Sequence, residues 1–239
     1  FVGPEAHNNI TIDGIDPLGP ISGDFRDRSY PVEAQYTIAV ADRSVAFMKS
    51  RLRGKGAYDG VFRSIIHRLG EYYLLVDMVP TETPHDQVDS SYQFSERFSP
   101  RALGERNIAL ADEEEEWTLS ICDSGGKVEH YRGMVDPIAG WVSSGYGSRS
   151  PGSQFRIPFG SSRLQAVVIA RGVAEKKVSA EFAGDANDTI RVDVHFGECR
   201  SDRYLICTKG DVQEFREAPI SKEGHLCYGI GGGQFSDVI

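Results

Sequence analysis

The sequence predicts an all-β protein: a large antiparallel β-sandwich of the two-layer supersandwich kind, carrying a small β appendage at its C-terminal end. Three observations predict it. Apolar residues recur with a period of two in segment after segment; Gly, Pro, Asp and Ser cut the chain at short intervals; and no stretch holds the 3.6-residue apolar period of a long amphipathic helix.

The elements follow in order. Ile10 and Ile12 alternate with Thr11 and Asp13 in a short strand that Gly14 stops, and His7 stands at its mouth. Residues 16–29 carry Pro17, Gly19, Pro20 and Gly23 and end with Arg26 and Arg28, which reads as a long loop. Ala34, Tyr36, Ile38 and Val40 mark a strand, Asp42-Arg43 turns the chain, and Val45 and Phe47 continue an antiparallel partner. Residues 44–52 also fit a short helix on apolar spacing, but Gly54-Lys55-Gly56 follows too soon for a stable one, so a strand is preferred. Val61, Ile65 and Ile66 support a strand to Leu69 with Gly70-Glu71 as its turn, and residues 72–79 form an apolar run broken only by Asp77. Further strands are read at 91–95, 117–122, 127–132, 154–159 and 164–170, with turns at 123–126 and 160–162. A boundary falls near Arg171-Gly172, dividing a sandwich of residues 1–172 from a small β extension of residues 173–239 packed on it. There Val178, Ala180 and Phe182 alternate, residues 185–188 turn, and Ile190, Val192, Val194 and Phe196 face away from Arg191, Asp193 and His195; Gly231-Gly232-Gly233 reads as a flexible tail.

Composition bounds the function. A chain of 239 residues is long enough to bury a full core, and 40% hydrophobic with 26% charged residues is the balance of a globular domain rather than a disordered chain. No apolar run approaches the roughly 20 residues of a membrane-spanning helix. A formal net charge of -9 argues against nucleic acid as a partner, because phosphate contacts need an excess of Lys and Arg. Cys122, Cys199, Cys207 and Cys227 form no CxxC pair; buried or free thiols are the first reading, and one disulfide within the last forty residues is the alternative in an oxidising compartment. The chain opens on Phe1 directly before a motif, the pattern of a fragment or a processed chain.

No phosphate-binding Gly-Lys-Ser loop, GxSxG elbow or HExxH is present, so chemistry must rest on dispersed groups. None of His7, His67, His85, His130, His195 and His225 lies at short metal-ligand spacing from another, and each alone is an ordinary surface or hydrogen-bonded residue. Glu113-Glu114-Glu115-Glu116 reads as a solvated loop, since adjacent carboxylates repel and stay hydrated. Arg51, Arg53 and Lys55 form a cluster that suits an anionic sugar chain, because guanidinium grips carboxylate or sulfate in a fork; a solubilising strand edge is the plain alternative. Trp141 and Tyr146, within Gly140-Trp141-Val142-Ser143-Ser144-Gly145-Tyr146-Gly147, either plug a core or stack on a sugar.

Taken together, these segments resemble the β-sandwich part of the heparinase II/III-like polysaccharide lyases. The family's Ala-His-Asn-Thr stretch and Val-Asp-Gly turn are matched by Ala6-His7-Asn8-Asn9-Ile10-Thr11-Ile12-Asp13-Gly14, with Asn9 where Thr is usual. An aromatic near a Gly, a His-Arg strand and a strand ending in Val-Asp are matched by Gly56-Ala57-Tyr58, His67-Arg68 and Leu75-Val76-Asp77, and a Trp-x-Ser-x-x-Tyr-Gly loop by Trp141, Ser143, Tyr146 and Gly147. The motifs keep one order across residues 5–170.

The resemblance implies a two-part enzyme, an α-helical toroid followed by this sandwich, with an acidic polysaccharide in the cleft between them. It implies β-elimination: a base removes the C5 proton of a uronic acid, an acid protonates the leaving oxygen, and the carboxylate charge is neutralised. The catalytic groups of the family lie on the toroid, so no catalytic residue is expected in this chain, which alone is expected to be inactive. His7 matches a zinc ligand of the family, whose other ligands, a His and an Asp, would precede Phe1, and Arg51, Arg53, Trp141 and Tyr146 are the expected substrate contacts. A periplasmic or secreted location follows from the same resemblance. The alternatives are a non-catalytic carbohydrate-binding module and a purely structural sandwich.

Overall fold

A computed structural model describes residues 7–14, 32–40, 45–54, 58–80, 85–122, 126–161, 163–172, 177–183, 189–196, 200–207, 215–218 and 226–230; for residues 32–40, 45–54, 182–183, 200, 207, 215–218 and 226–230 the description is of the backbone. The 16–29 loop, the Asp42-Arg43 turn, Lys55, most of the 123–126 turn, the 185–188 turn, Cys199 and the triple-glycine tail lie outside the described residues.

The chain runs through β1 (Ile10–Ile12), β2 (Val32–Val40), β3 (Val45–Gly54), β4 (Phe62–Arg68), β5 (Tyr72–Met78), β6 (Val88–Phe94), β7 (Ser99–Ala102) and β8 (Asn107–Ala111). It continues through β9 (Glu116–Ile121), β10 (Glu129–Arg132), β11 (Met134–Val135), β12 (Ile138–Ala139), β13 (Trp141–Val142), β14 (Ser150–Pro151), β15 (Ser153–Pro158) and β16 (Leu164–Arg171). It closes with β17 (Lys177–Ala183), β18 (Thr189–Phe196), β19 (Arg200–Cys207), β20 (Phe215–Ala218) and β21 (Leu226–Ile230). The protein is an all-β sandwich. Among the described residues no helix is long and apolar enough to cross a membrane.

The largest sheet has eight strands in the order β2-β3-β4-β5-β16-β9-β8-β7, all neighbours antiparallel. Both of its faces are covered, and the period of two explains how. On β16, Ala166, Val168 and Ala170 point to one face, where with Phe62, Ile66, Leu74 and Val76 they meet Ile190, Val192, Val194, Tyr204 and Ile206 of the C-terminal sheet, β17-β18-β19-β21-β20. Val167 and Ile169 point to the other face, where with Leu119 and Ile121 they meet Tyr92, Phe155 and Ile157 of a four-stranded sheet, β1-β6-β15-β10. One hydrophobic core therefore runs across residue 172. Inside it Tyr72 donates a hydrogen bond of 2.5 Å to Asp202, and its hydroxyl lies 2.5 Å from that of Tyr204.

Several sequence-based expectations change. The segment expected over residues 44–52 is a strand from Val45, and it runs through Gly54 because β3 pairs with β2 from Ala46 to Gly54 and the ladder outweighs a terminal glycine. β7, β8, β19 and the hairpins β11-β12 and β13-β14 were not anticipated. The apolar run of residues 72–79 is not buried throughout, since Tyr73 of β5 reaches solvent. Asp193 lies on the face opposite Ile190, Val192 and Val194, as expected, and is largely buried there in a bidentate ion pair with Arg203 at 2.7 and 3.2 Å. The glutamate run is not uniformly solvated: Glu113 and Glu114 are exposed, but Glu115 accepts from Arg171 at 2.9 Å, Arg97 at 3.3 Å and the Trp117 indole at 3.2 Å. Cys122 is a buried free thiol whose sulfur accepts the Ala166 N–H at 3.0 Å.

Candidate functional site

β1 is only three residues long, too short to hold itself, and its position is set by neighbours. It pairs with β6, Ile10 opposite Ser90 and Ile12 opposite Val88. Ile10 and Ile12 are buried against Tyr58, Val61 and Val79, and the Tyr58 hydroxyl accepts the Ile12 N–H at 3.0 Å. The turn after β1 is locked as well. Asp13 and Gly14 adopt left-handed φ of 50° and 67°, which an Asp-Gly pair tolerates well, and one Asp13 oxygen accepts the N–H groups of Gln87 at 2.7 Å and Asp86 at 3.0 Å. These contacts keep the Asp13 carboxyl below the usual aspartate value: the Gln87 N–H is the largest cause, burial opposes it, and the Asp86 N–H and His85 add to it. His85 lies 3.5 Å from the second oxygen.

Asp77, the one interruption of an apolar run, is fully buried. It faces the four-stranded sheet and receives Arg63 as a fork, Nε to Oδ1 and Nη2 to Oδ2, each 2.6 Å. Ser90 and Tyr92 donate to the same carboxylate at 2.5 and 3.3 Å. Burial works against the Arg63 charge, but the adjacent Asp77 carboxylate outweighs it and the guanidinium's pKa is raised. The third corner of the guanidinium, Nη1, donates to the Asn8 carbonyl at 2.7 Å. The buried ion pair therefore ends on the backbone one residue from His7.

From Asn8 the connections continue. Its side-chain oxygen accepts the Gln93 N–H, and the Gln93 side-chain amide donates to the Trp141 carbonyl. Trp141 is half-buried; its indole N–H donates to the Met134 carbonyl at 2.7 Å, and Arg149 lies over its ring at 4.4 Å. Gly140 and Gly152 let this segment pack closely, since a Cβ on Gly140 would sit 2.5 Å from the Tyr131 carbonyl group and one on Gly152 would sit 2.6 Å from Val142. Beyond Trp141 the loop projects, and Tyr146 at its tip is fully exposed.

The structure thus joins two of the sequence-based candidates. The exposed His7 and the Trp141–Tyr146 loop share one surface, linked through Asn8 and Gln93. Arg51 and Arg53 lie on β3, opposite Gln35 and Glu33 on β2, and their side chains lie outside the described residues. Sequence reasoning missed Arg63, Gln93 and Arg149. A signal existed for the first: an arginine inside one apolar strand and a lone aspartate inside the next, a pair that neither strand buries without the other. For Gln93 there was none. Chemically, the surface offers an indole carrying a guanidinium, an exposed phenol and an exposed imidazole. Among the described residues no group of three His, Cys, Asp or Glu side chains is placed to hold a metal ion, and zinc takes three or four ligands.

No family model matches the sequence, and no curated protein matches it. Among solved structures the fold is similar to that of heparinase III, with a TM-score of 0.61 and 11% identity, over 86% of this chain and 30% of that one. The chain therefore spans under a third of the length of the protein it resembles, and the likeness is one of fold.

Proposed function

We propose that this chain is the β-sandwich part of a polysaccharide lyase that cleaves a uronate-containing glycan by β-elimination. The observation that supports this reading best is that the residues carrying the lyase resemblance, Asn8, Asp13, Tyr58, Asp77 and Trp141, resolve into contacts that fix a single surface, on a fold like that of heparinase III. In this reading the sandwich holds and orients the glycan. Trp141 and Tyr146 stack on sugar faces, and Arg51 and Arg53 pair with carboxylates or sulfates. The base that takes the C5 proton and the acid that protonates the departing oxygen come from a helical toroid outside this chain, in a protein exported to the periplasm or beyond. His7 is one zinc ligand of three in the sandwich, the other two, a His and an Asp, lying upstream of Phe1, so this chain alone binds zinc weakly; tight stoichiometric zinc binding by the 239-residue chain overturns that assignment.

The test is the ultraviolet absorbance of unsaturated uronate across a panel of acidic glycans. The protein with its helical part is expected to generate the signal, and the 239-residue chain to bind glycan without generating it. A non-catalytic carbohydrate-binding module is the second reading, favoured by the projecting Tyr146; binding by both proteins with product from neither selects it.

A further inference from the structure

A wide cleft, none of whose lining residues belongs to the Trp141 loop, lies at the edge of the sandwich where the β7–β8 turn faces the chain entering β10. It encloses about 730 Å³, within the usual range for a small-ligand site. Its floor is apolar, with Ile108, Val128 and Phe155, and His130 stacks on Phe155 with ring centroids 4.8 Å apart and planes 19° from parallel. Burial, and then the Arg132 charge, lower the His130 pKa, so its imidazole stays neutral near pH 7 with one nitrogen to donate and one to accept. At the mouth, among the described residues, Arg106 and Lys127 stand beside the carboxylate of Glu105. Among the described residues neither the Lys127 ammonium nor a His130 ring nitrogen makes a hydrogen bond or an ion pair.

We propose that this cleft is a second glycan subsite that takes an acidic sugar unit, with its carboxylate or sulfate toward Lys127 and Arg106, one ring face over the His130–Phe155 stack, and a hydroxyl on the imidazole. The charges at the mouth reject a neutral sugar only weakly but reward an anionic one, and the flat floor suits a pyranose ring better than a bare anion. The assignment rests on the acidic-glycan reading above and adds a place to it.

The experiment is an NMR titration of the 239-residue chain with a heparin tetrasaccharide, with cellotetraose as the neutral control. Heparin tetrasaccharide is expected to shift the amides of residues 104–108 and 126–130. Lys127→Ala and Arg106→Ala are each expected to weaken that binding on the order of tenfold, with Lys127→Arg near wild type. Shifts confined to residues 141–149 overturn the subsite while leaving the Trp141 surface as the glycan site. Equal shifts with cellotetraose, or unchanged affinity in both alanine variants, overturn it as well. No response to the tetrasaccharide at any residue overturns the subsite along with the glycan-binding role of the sandwich.

Discussion

Asp77 shows how one side chain is both a stability element and part of a functional surface. Its carboxylate neutralises a guanidinium that is itself largely buried, and that guanidinium holds the backbone beside His7. Asp77→Asn leaves the Arg63 charge without its counter-ion, and the expected loss is about 3–5 kcal/mol, read from urea unfolding. His7 behaves oppositely. Its side chain is exposed, so His7→Ala is expected to stay within about 0.5 kcal/mol of wild type, whereas Asn8→Ala removes the acceptor of the Gln93 N–H and costs about 1 kcal/mol. Thermal melts of the two variants check this contrast, and equal losses would remove the distinction between an exposed contact residue and its support. Asp13 adds a pH dependence. Because folding lowers its pKa below the ordinary 3.8, its contribution is complete above that value and is lost as the pH falls through the folded value. Asp13→Asn is therefore expected to flatten the acid limb of a Tm-against-pH curve and leave the neutral plateau's shape unchanged.

Strands of the central sheet were readable because both of their faces are buried or their faces differ, so apolar runs and alternation mark them: 72–79 and 164–170 were anticipated nearly to the residue. β7 was not, because Ser99, Pro100, Arg101 and Ala102 form an outer strand of the large sheet with no buried side chain and no apolar pattern. The hairpins around Trp141 escaped for a related reason. Each strand is two residues long, and their order comes from close approach to β10 and β15 rather than from periodicity. That approach gives a prediction for the element. Gly140 combines a φ of +68° with backbone atoms of Tyr131 and Arg132 within 2.6 Å of any added Cβ, so Gly140→Ala is expected to cost about 2 kcal/mol or more. The same change should displace Trp141, read as a shift in its fluorescence maximum; native fluorescence and unchanged stability would show that the loop is not built on this contact.

At the scale of the molecule, the C-terminal sheet is a layer of the sandwich. Phe62, Ile66, Leu74, Val76 and Val168 are all fully buried, and the side chains opposite them are Ile190, Val192, Val194, Tyr204 and Ile206. A chain ended at residue 172 uncovers that face, and it is expected to lose cooperative thermal unfolding and to bind a hydrophobic dye; a truncated chain that melts sharply at the full-length Tm would show two independent units. The extension read after Arg171-Gly172 rests on a local turn signal, and which side chains meet where it packs on the sandwich leaves no mark in local sequence. By itself the sequence determined the all-β class, the central strands and the ordered motifs from His7 to Tyr146, because side-chain period and turn chemistry are local properties of the chain. Only the tertiary structure decided that those motifs meet through Arg63, Asn8 and Gln93, and that Lys127 and Arg106 share a cleft. Contacts between residues tens of positions apart depend on strand order and register, which the hydrogen-bonded sheets establish and no local pattern encodes.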